Sequence, residues 1–132
     1  MADIVLQSCF NSAKGAFKVE GAGSTRFKEN FITAVNRAAK KMYRDANLED
    51  AITAVDNIAD TIEIDDAYED VLNLGIIYNL IQLGQRPAKG LEVTARNAKE
   101  DFEEAIGMMY VQLTNDDQSD TSNDIIGLGS LT

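Results

Sequence analysis

The residues of this 132-residue chain that could do chemistry are its carboxylates and one cysteine. The carboxylates occur in close pairs, which are Asp65/Asp66, Glu69/Asp70, Glu103/Glu104 and Glu100/Glu104. Two carboxyls held together can divide acid and base roles, and two that lie one helical turn apart can share a metal ion. Adjacent helical positions point in different directions, however, and no histidine completes a di-metal motif. The pairs therefore predict helix caps and solvent-exposed positions, with no catalytic residue and no metal site.

Cysteine and histidine usage excludes further classes of enzyme. The chain has no histidine, which excludes His-dependent triads, Cys–His pairs and His-ligated zinc. A single cysteine, Cys9, excludes an internal disulfide, and its helical spacing with Leu6, Phe10 and Ala13 predicts a buried side chain. Phosphate-binding glycine loops are absent. We therefore expect a protein without enzymatic activity and without a cofactor.

Charge is distributed unevenly along the chain. The net charge is −10, but residues 1–44 carry +5 and residues 45–132 carry −15. The total argues against tight binding of the whole surface to a nucleic-acid backbone. The asymmetry fits a subunit whose basic flank meets the acidic flank of another copy, and two solvated faces are the alternative. The start of the chain lacks the basic region of a signal peptide, and the apolar run over 71–83 is too short and too interrupted to span a bilayer, so we expect no membrane association.

The stretch 65–87 predicts a central helix. Asp65 or Asp66 can cap its start, and Gly84 followed by Pro87 marks its end. Between Val71 and Leu83 the residues are apolar on nearly every side, which predicts packing on several faces. The apolar run is too short to span a bilayer.

Two longer amphipathic helices are predicted around this element. One runs over 25–46 with Ser24 or Thr25 as its cap, an apolar stripe (Phe27, Phe31, Ala34, Val35, Ala38 and Met42) and a basic face (Lys28, Arg37, Lys40, Lys41 and Arg44). The other follows residue 90, and its seam comprises Leu91, Ala95, Ala98, Phe102, Ala105, Met109 and Leu113. The cluster Met108-Met109-Tyr110 on it is interpreted as packing. We predict that Lys40, Lys41 and Arg44 make inter-subunit contacts.

Two further stretches complete the fold prediction. A helix is predicted from Asp3, as the cap, to about residue 14. The stretch 48–64 fits either a helix or a short hairpin with a turn at Asp56-Asn57 between AITAV and IADTIEI. The predicted class is mainly α, a compact bundle of about four helices with that short β-hairpin as an option and an extended C-terminal tail.

The chain from residue 115 onwards changes in character. The run NDDQSDTSND has no apolar residue and should not pack a core. Its acids do not match a calcium loop, because Thr121 stands where glycine is needed and Gly127 where glutamate is needed. Four aliphatic residues follow, which are Ile125, Ile126, Leu128 and Leu131. We predict a helical domain over 1–114 and an extended arm over 115–132 whose aliphatic residues bind a partner.

The runs VNRAAKKMYRDANL and DTIEIDDAYEDVLNLGIIYNLIQLGQR, followed by an amphipathic helix, resemble the head–tail connector (adaptor) proteins of tailed bacteriophages over about residues 25–112. The resemblance implies a structural virion protein that forms a ring, commonly a dodecamer, under the portal protein. Such a ring extends the channel through which DNA passes without sequence-specific binding, and it joins the capsid to a tail or stopper protein. Localisation in the virion, after assembly in the host cytoplasm, follows from the same resemblance.

Two other functions fit the sequence. A cellular helical protein-interaction module could use the C-terminal tail as a peptide ligand. A nucleic-acid-binding protein could use the basic face over Lys28–Arg44. The aromatic residues of this helix lie on the apolar stripe and not among the basic residues. This arrangement does not favour stacking of aromatic side chains on nucleobases.

Overall fold

The fold is a bundle of four helices with a small antiparallel sheet at one side. The computed structural model describes residues 2–19, 21, 23–48, 52–87 and 92–125, and within the last range the side chains of residues 97–115. In chain order the elements are β1 (Asp3–Val5), α1 (Leu6–Phe17), α2 (Thr25–Asp45), β2 (Thr61–Asp65), a 3-10 turn (Asp66–Tyr68), α3 (Glu69–Gln82) and α4 (Glu92–Ile125). The predicted class, a mainly α bundle of about four helices, is confirmed.

Helix α2 forms where its cap and its apolar stripe predict it. The Ser24 side chain accepts a hydrogen bond from the Phe27 backbone N–H at 3.0 Å, which satisfies one of the unpaired donors at the helix start. All six residues of the predicted stripe are buried. Helix α1 crosses this stripe through its aromatic side chains, since the Phe10 ring lies 5.0 Å from that of Phe31, edge to face.

Helix α3 is the centre of the bundle. It packs against α1, α2 and α4, as its apolar character on nearly every side predicts. The Asp65 side chain accepts a hydrogen bond from the Ala67 N–H at 3.2 Å and so caps the 3-10 turn that leads into α3. After α3 the chain turns at Gly84, whose φ of 96° suits glycine. The predicted end of the helix is therefore confirmed, whereas the predicted cap acts one turn earlier: α3 itself begins after Tyr68 and no side chain caps it.

The strand predicted at TIEI is present, but its partner is not the predicted one. β2 pairs antiparallel with β1, with Ile4 opposite Ile62. The side chains alternate along β2, so that Ile62 and Ile64 enter the core. Because β1 supplies the second strand, the first predicted helix begins at Leu6 instead of near Asp3, and no side chain caps it. The prediction of Asp3 as a helix cap was wrong.

The predicted partner, AITAV, has no regular structure in its described part, residues 52–55. The Asn36 side chain on α2 accepts from the Val55 N–H at 2.9 Å and donates to the Val55 carbonyl oxygen at 2.9 Å. Both backbone groups of Val55 are thereby used, so this residue has nothing left to offer a neighbouring strand. The segment 52–60 is fixed on α2 by a side chain, and the local hairpin does not form.

Helix α4 follows the predicted seam where its side chains are described. Ala98, Phe102, Ile106 and Met109 are buried, and Leu113 is half-buried. The helix continues to Ile125, beyond the predicted domain boundary at residue 114. No proline or glycine occurs between residues 108 and 126, so nothing in this stretch interrupts the helix. The seam residues Leu91 and Ala95, and the arm residues 126–132, lie outside the described side chains.

Candidate assembly surfaces

The basic face of α2 is held partly by contacts within the chain. Lys41 Nζ lies 2.8 Å from Asp45 Oδ2 and 3.6 Å from Glu103 Oε2 on α4. Arg44 Nε lies 3.0 Å from Asp45 Oδ1. Of the three predicted inter-subunit residues, Lys41 is half-buried, whereas Lys40 and Arg44 are exposed. The exposed part of this face, which also includes Arg37, is the part that another molecule can reach.

Asp45 is the anion around which this cluster is arranged. Hydrogen bonds from Lys41 first, and from Arg44 second, lower the pKa of Asp45 from its usual value near 3.8. Hydrogen bonds of this kind favour the charged form of a carboxyl. The cluster therefore orients Lys41 and Arg44 along the surface of α2, and it leaves the side of α2 toward Arg37 and Lys40 open.

Helix α4 presents an acidic surface and then an apolar one on its outward side. Its described exposed acids lie over 100–104 and are Glu100, Asp101, Glu103 and Glu104. One turn further, Met108 is 67% exposed, Val111 is 54% exposed and Tyr110 is 41% exposed. We call these three residues the α4 patch. Val111 lies on the side of α4 away from the core, with Met108 and Tyr110 to either side of it, and large apolar side chains this exposed are characteristic of an interaction surface.

The sequence interpretation of the Met108-Met109-Tyr110 cluster as packing was correct for one residue only. Met109 is buried at 3% exposure, while Met108 and Tyr110 are exposed. Successive residues on a helix are separated by 100°, so the two neighbours of an inward-facing residue point away from the core on either side. The α4 patch could have been found from the sequence by placing the seam first and reading the residues between its members.

A groove of about 750 Å³ lies between α1, the first half of α2 and the segment 52–60. Phe10, Ile32 and Ile58 supply its apolar surface, and Lys14 and Lys28 lie at its rim. The Lys14 ammonium group is fixed, because it lies 5.3 Å from the centre of the Phe10 ring and donates to the Gly21 carbonyl oxygen at 2.9 Å. Sequence reasoning missed this groove, because the segment that forms one wall is placed by the unforeseen Asn36–Val55 hydrogen bonds.

The predicted partner-binding residues are only partly within the described chain. Ile125 is the last residue of α4. Ile126, Leu128 and Leu131 lie outside the described residues. The structure therefore brings none of these four side chains into a described contact, and their role stays a prediction.

The groups considered for chemistry have other places in the fold. Cys9 is buried, and burial first, with the nearby Glu69 carboxylate second, raises its pKa to about 12. A thiol in this state is a poor nucleophile at neutral pH, as the prediction of a buried core residue implies. Glu69 accepts a hydrogen bond from the Ser8 hydroxyl at 2.9 Å, which links α1 to the start of α3. Within the described residues, no three metal-ligating side chains come together.

Comparison of the chain with protein-family models, curated proteins and solved structures finds no match in any of the three. None of the helices in the described part of the chain combines the length and apolar character that crossing a bilayer requires. The three surfaces described above, namely the basic face of α2, the outward side of α4 and the groove, are therefore the basis for a functional proposal.

Proposed function

We propose that this chain is a non-enzymatic structural subunit that assembles side by side with copies of itself, as a head–tail connector of a tailed bacteriophage. In this proposal the copies form a ring, commonly a dodecamer in proteins of that kind, which sits under a portal protein and receives a tail or stopper protein. The ring extends the channel for DNA and is part of the virion. The sequence resemblance over about residues 25–112 supports the type of assembly, and the surfaces of α2 and α4 support the contact.

The observation that carries the proposal is the outward side of α4. It combines the exposed acids Glu100, Asp101 and Glu104 with the α4 patch, so a partner surface should be both basic and able to cover apolar side chains. The exposed bases Arg37, Lys40 and Arg44 on α2 have the complementary charge. Covering the α4 patch would supply the hydrophobic part of the contact, and the charges would supply its orientation.

These two surfaces lie on different helices, and in this proposal each of them meets a different neighbour. A patch on α2 that meets a different patch on α4 of the next copy is a head-to-tail contact. Such contacts close into rings when the rotation between copies permits, whereas a two-fold dimer would place both surfaces of one copy against the same neighbour. The inner edge of the two surfaces is already joined within one chain by Lys41 and Glu103. The outer residues remain available to a neighbour.

The same arrangement favours protein contact over nucleic-acid binding. Asp45 and Glu103 lie beside Lys41, so an approaching phosphate would meet carboxylates as well as bases. The apolar stripe of α2, with its phenylalanines, is buried and offers no stacking surface. We expect no retention on DNA at physiological salt.

The aliphatic residues Ile125, Ile126, Leu128 and Leu131 dock on another subunit of the assembly.

Charge reversal on each surface tests the proposed contact. Lys40→Glu with Arg44→Glu makes both surfaces acidic, and Glu100→Lys with Glu104→Lys makes both basic. We expect each variant alone to stay monomeric in analytical ultracentrifugation, because like charges then face each other. A mixture of the two variants should assemble again. Arg86→Glu, a charge reversal at an exposed position on the loop after α3, should assemble like the unchanged chain.

The connector assignment itself requires the partner and the particle. Electron microscopy of the protein mixed with the portal protein encoded beside it should show rings on the portal. A gene position next to portal and capsid genes is expected as well. A protein that stays monomeric at high concentration, with and without the portal, contradicts the proposal. So do reversed variants that assemble as the unchanged chain does.

A further inference from the structure

The groove between α1, α2 and the segment 52–60 has the chemistry of a peptide-binding site. Its volume, about 750 Å³, falls within the range of about 300–1,000 Å³ that is typical of ligand pockets. Apolar surface from Phe10, Ile32 and Ile58 can take aliphatic side chains, and the rim offers polar groups from Gln7 and Asn57. An occupant should therefore combine aliphatic residues with polar backbone.

The charged side chains that line the groove are balanced in number. The bases are Lys14 and Lys28, and the acids are Glu29 and Asp56. The two lysines can pair with carboxylates of an occupant.

One segment of the chain itself has this composition. Residues 125–131 contain four large aliphatic side chains and two glycines, and the preceding residues 116–124 contain four aspartates and no base. Glycines permit the backbone to approach a surface closely. The segment thus matches the apolar part of the groove, and the aspartates before it can pair with the two lysines of the lining.

The length of α4 decides which copy donates the segment. The buried side of α4, from Ala98 to Leu113, matches the length of α3, which at 14 residues is about 21 Å. From Leu113 to Ile125 the helix continues for about 18 Å more, whereas the seven residues 126–132 reach at most about 25 Å. To bind the groove of its own chain, the segment would have to run back along α4, and this path would use most of its reach. A neighbouring copy therefore suits the segment better.

From these observations we infer that the groove of one copy binds residues 125–131 of a second copy. This inference rests on the proposed assembly of identical subunits and names one contact in it. The contact ties subunits together by an arm, in addition to the contact between α2 and α4. Aliphatic side chains of the arm cover the half-buried Ile32 and Ile58, and the aspartates before them lie near Lys14 and Lys28.

Site-directed cross-linking in full-length chains tests the inference. One variant carries Gln7→Cys at the groove and the other carries Ser130→Cys in the arm. After mixing, a short bis-maleimide should join them into a heterodimer, while the buried Cys9 thiol stays unreactive. Replacing the groove variant by Gln112→Cys, which lies exposed on α4, should abolish the product.

Three further variants show whether the apolar and charged side chains of the arm and the groove are responsible for the cross-link. Leu128→Asp with Leu131→Asp in the arm should eliminate the cross-link without changing any side chain of the described core. Lys28→Glu at the groove should reduce it, and Lys99→Glu on α4 should not. A synthetic peptide of residues 116–132 should compete with the arm for the groove.

The outcomes separate this inference from the proposed function. Rings that form without a cross-link from Ser130→Cys to Gln7→Cys would overturn the inference and leave the assembly proposal standing. A chain that carries both cysteines and cross-links only within itself at low concentration would overturn it as well, as would an arm that cross-links to the portal alone. A protein that neither assembles nor cross-links would contradict both.

Discussion

Helices α3 and α4 each contain one glycine within the helix, and the surroundings of the two glycines are opposite. A Cβ atom added at Gly75 of α3 would lie 2.4 Å from Phe102 Cζ and 2.7 Å from Ala38 Cβ. A Cβ atom added at Gly107 of α4 would have nothing within 4 Å. The glycine of α3 allows three helices to approach one another, whereas the glycine of α4 lies on an open surface. The comparison shows that α3 is fully used by the fold and that α4 has a side the fold does not use.

The lengths of the two helices support the same distinction. α3 has 14 residues and α4 has 34. A helix that served only to cover α3 could end near Leu113, where the described seam ends. The rest of α4 and its outward side are therefore available for contacts with other molecules.

The largest difference in stability between the two sides of α4 should appear when Phe102 and Met108 are substituted. Phe102 is fully buried, so Phe102→Ala should lower the free energy of unfolding by about 3–5 kcal/mol. Met108 is 67% exposed, so Met108→Ala should change it by less than about 0.5 kcal/mol. Urea denaturation of both variants measures the difference. Equal losses would mean that the outward side of α4 also contributes to the fold of the isolated chain.

Substitutions at the two glycines should change the free energy of unfolding by smaller amounts and in opposite directions. Gly75→Ala should destabilise the protein by about 1–3 kcal/mol, because the new methyl group overlaps Phe102 and Ala38. Gly107→Ala should stabilise it by about 0.5–1 kcal/mol, because alanine is the better helix former. Thermal unfolding reports both signs. Adding Phe102→Leu to Gly75→Ala should recover part of the loss, and strict additivity of the two changes would argue against the overlap.

The smallest effect should come from the ion pairs that Asp45 makes with Lys41 and Arg44 within α2. Asp45 has a lowered pKa, so its stabilisation is present above its unfolded pKa near 3.9 and is lost as the pH falls through the lower folded value. Asp45→Asn should therefore cost less than about 1 kcal/mol at pH 7, since the group is partly exposed. The cost should vanish near pH 2. Asp101→Asn, a change at an exposed acid of α4, serves as the control, and a cost at Asp45 that persists at low pH would contradict this explanation.

Most of the helical core could be predicted from the sequence. The stripe of α2, the described seam of α4 and the caps at Ser24 and Asp65 depend on residues within one or two turns of each other, and such patterns are read directly. Two features could not be predicted. The β1–β2 pairing joins residues almost sixty positions apart, and the fixing of segment 52–60 depends on the single side chain of Asn36.

The candidate surfaces were predicted less completely than the core. The basic face of α2 was found, because charge on a helix face is visible in the sequence. Its neutralisation by Asp45 and Glu103 was not, since Glu103 comes from a helix sixty residues away. The groove was missed for the same reason, because its walls come from three elements that are distant in sequence. The role of the arm was predicted from composition, and the cross-linking experiment decides it.

The pairing of β1 with β2 also sets an order of events during synthesis. Ile4 is fully buried opposite Ile62. All of α1 and α2 lie between these two residues in the chain. While the polypeptide leaves the ribosome, Ile4 therefore stays exposed to water until residue 62 has emerged. Strand β1 is thus among the last parts of this region to fold.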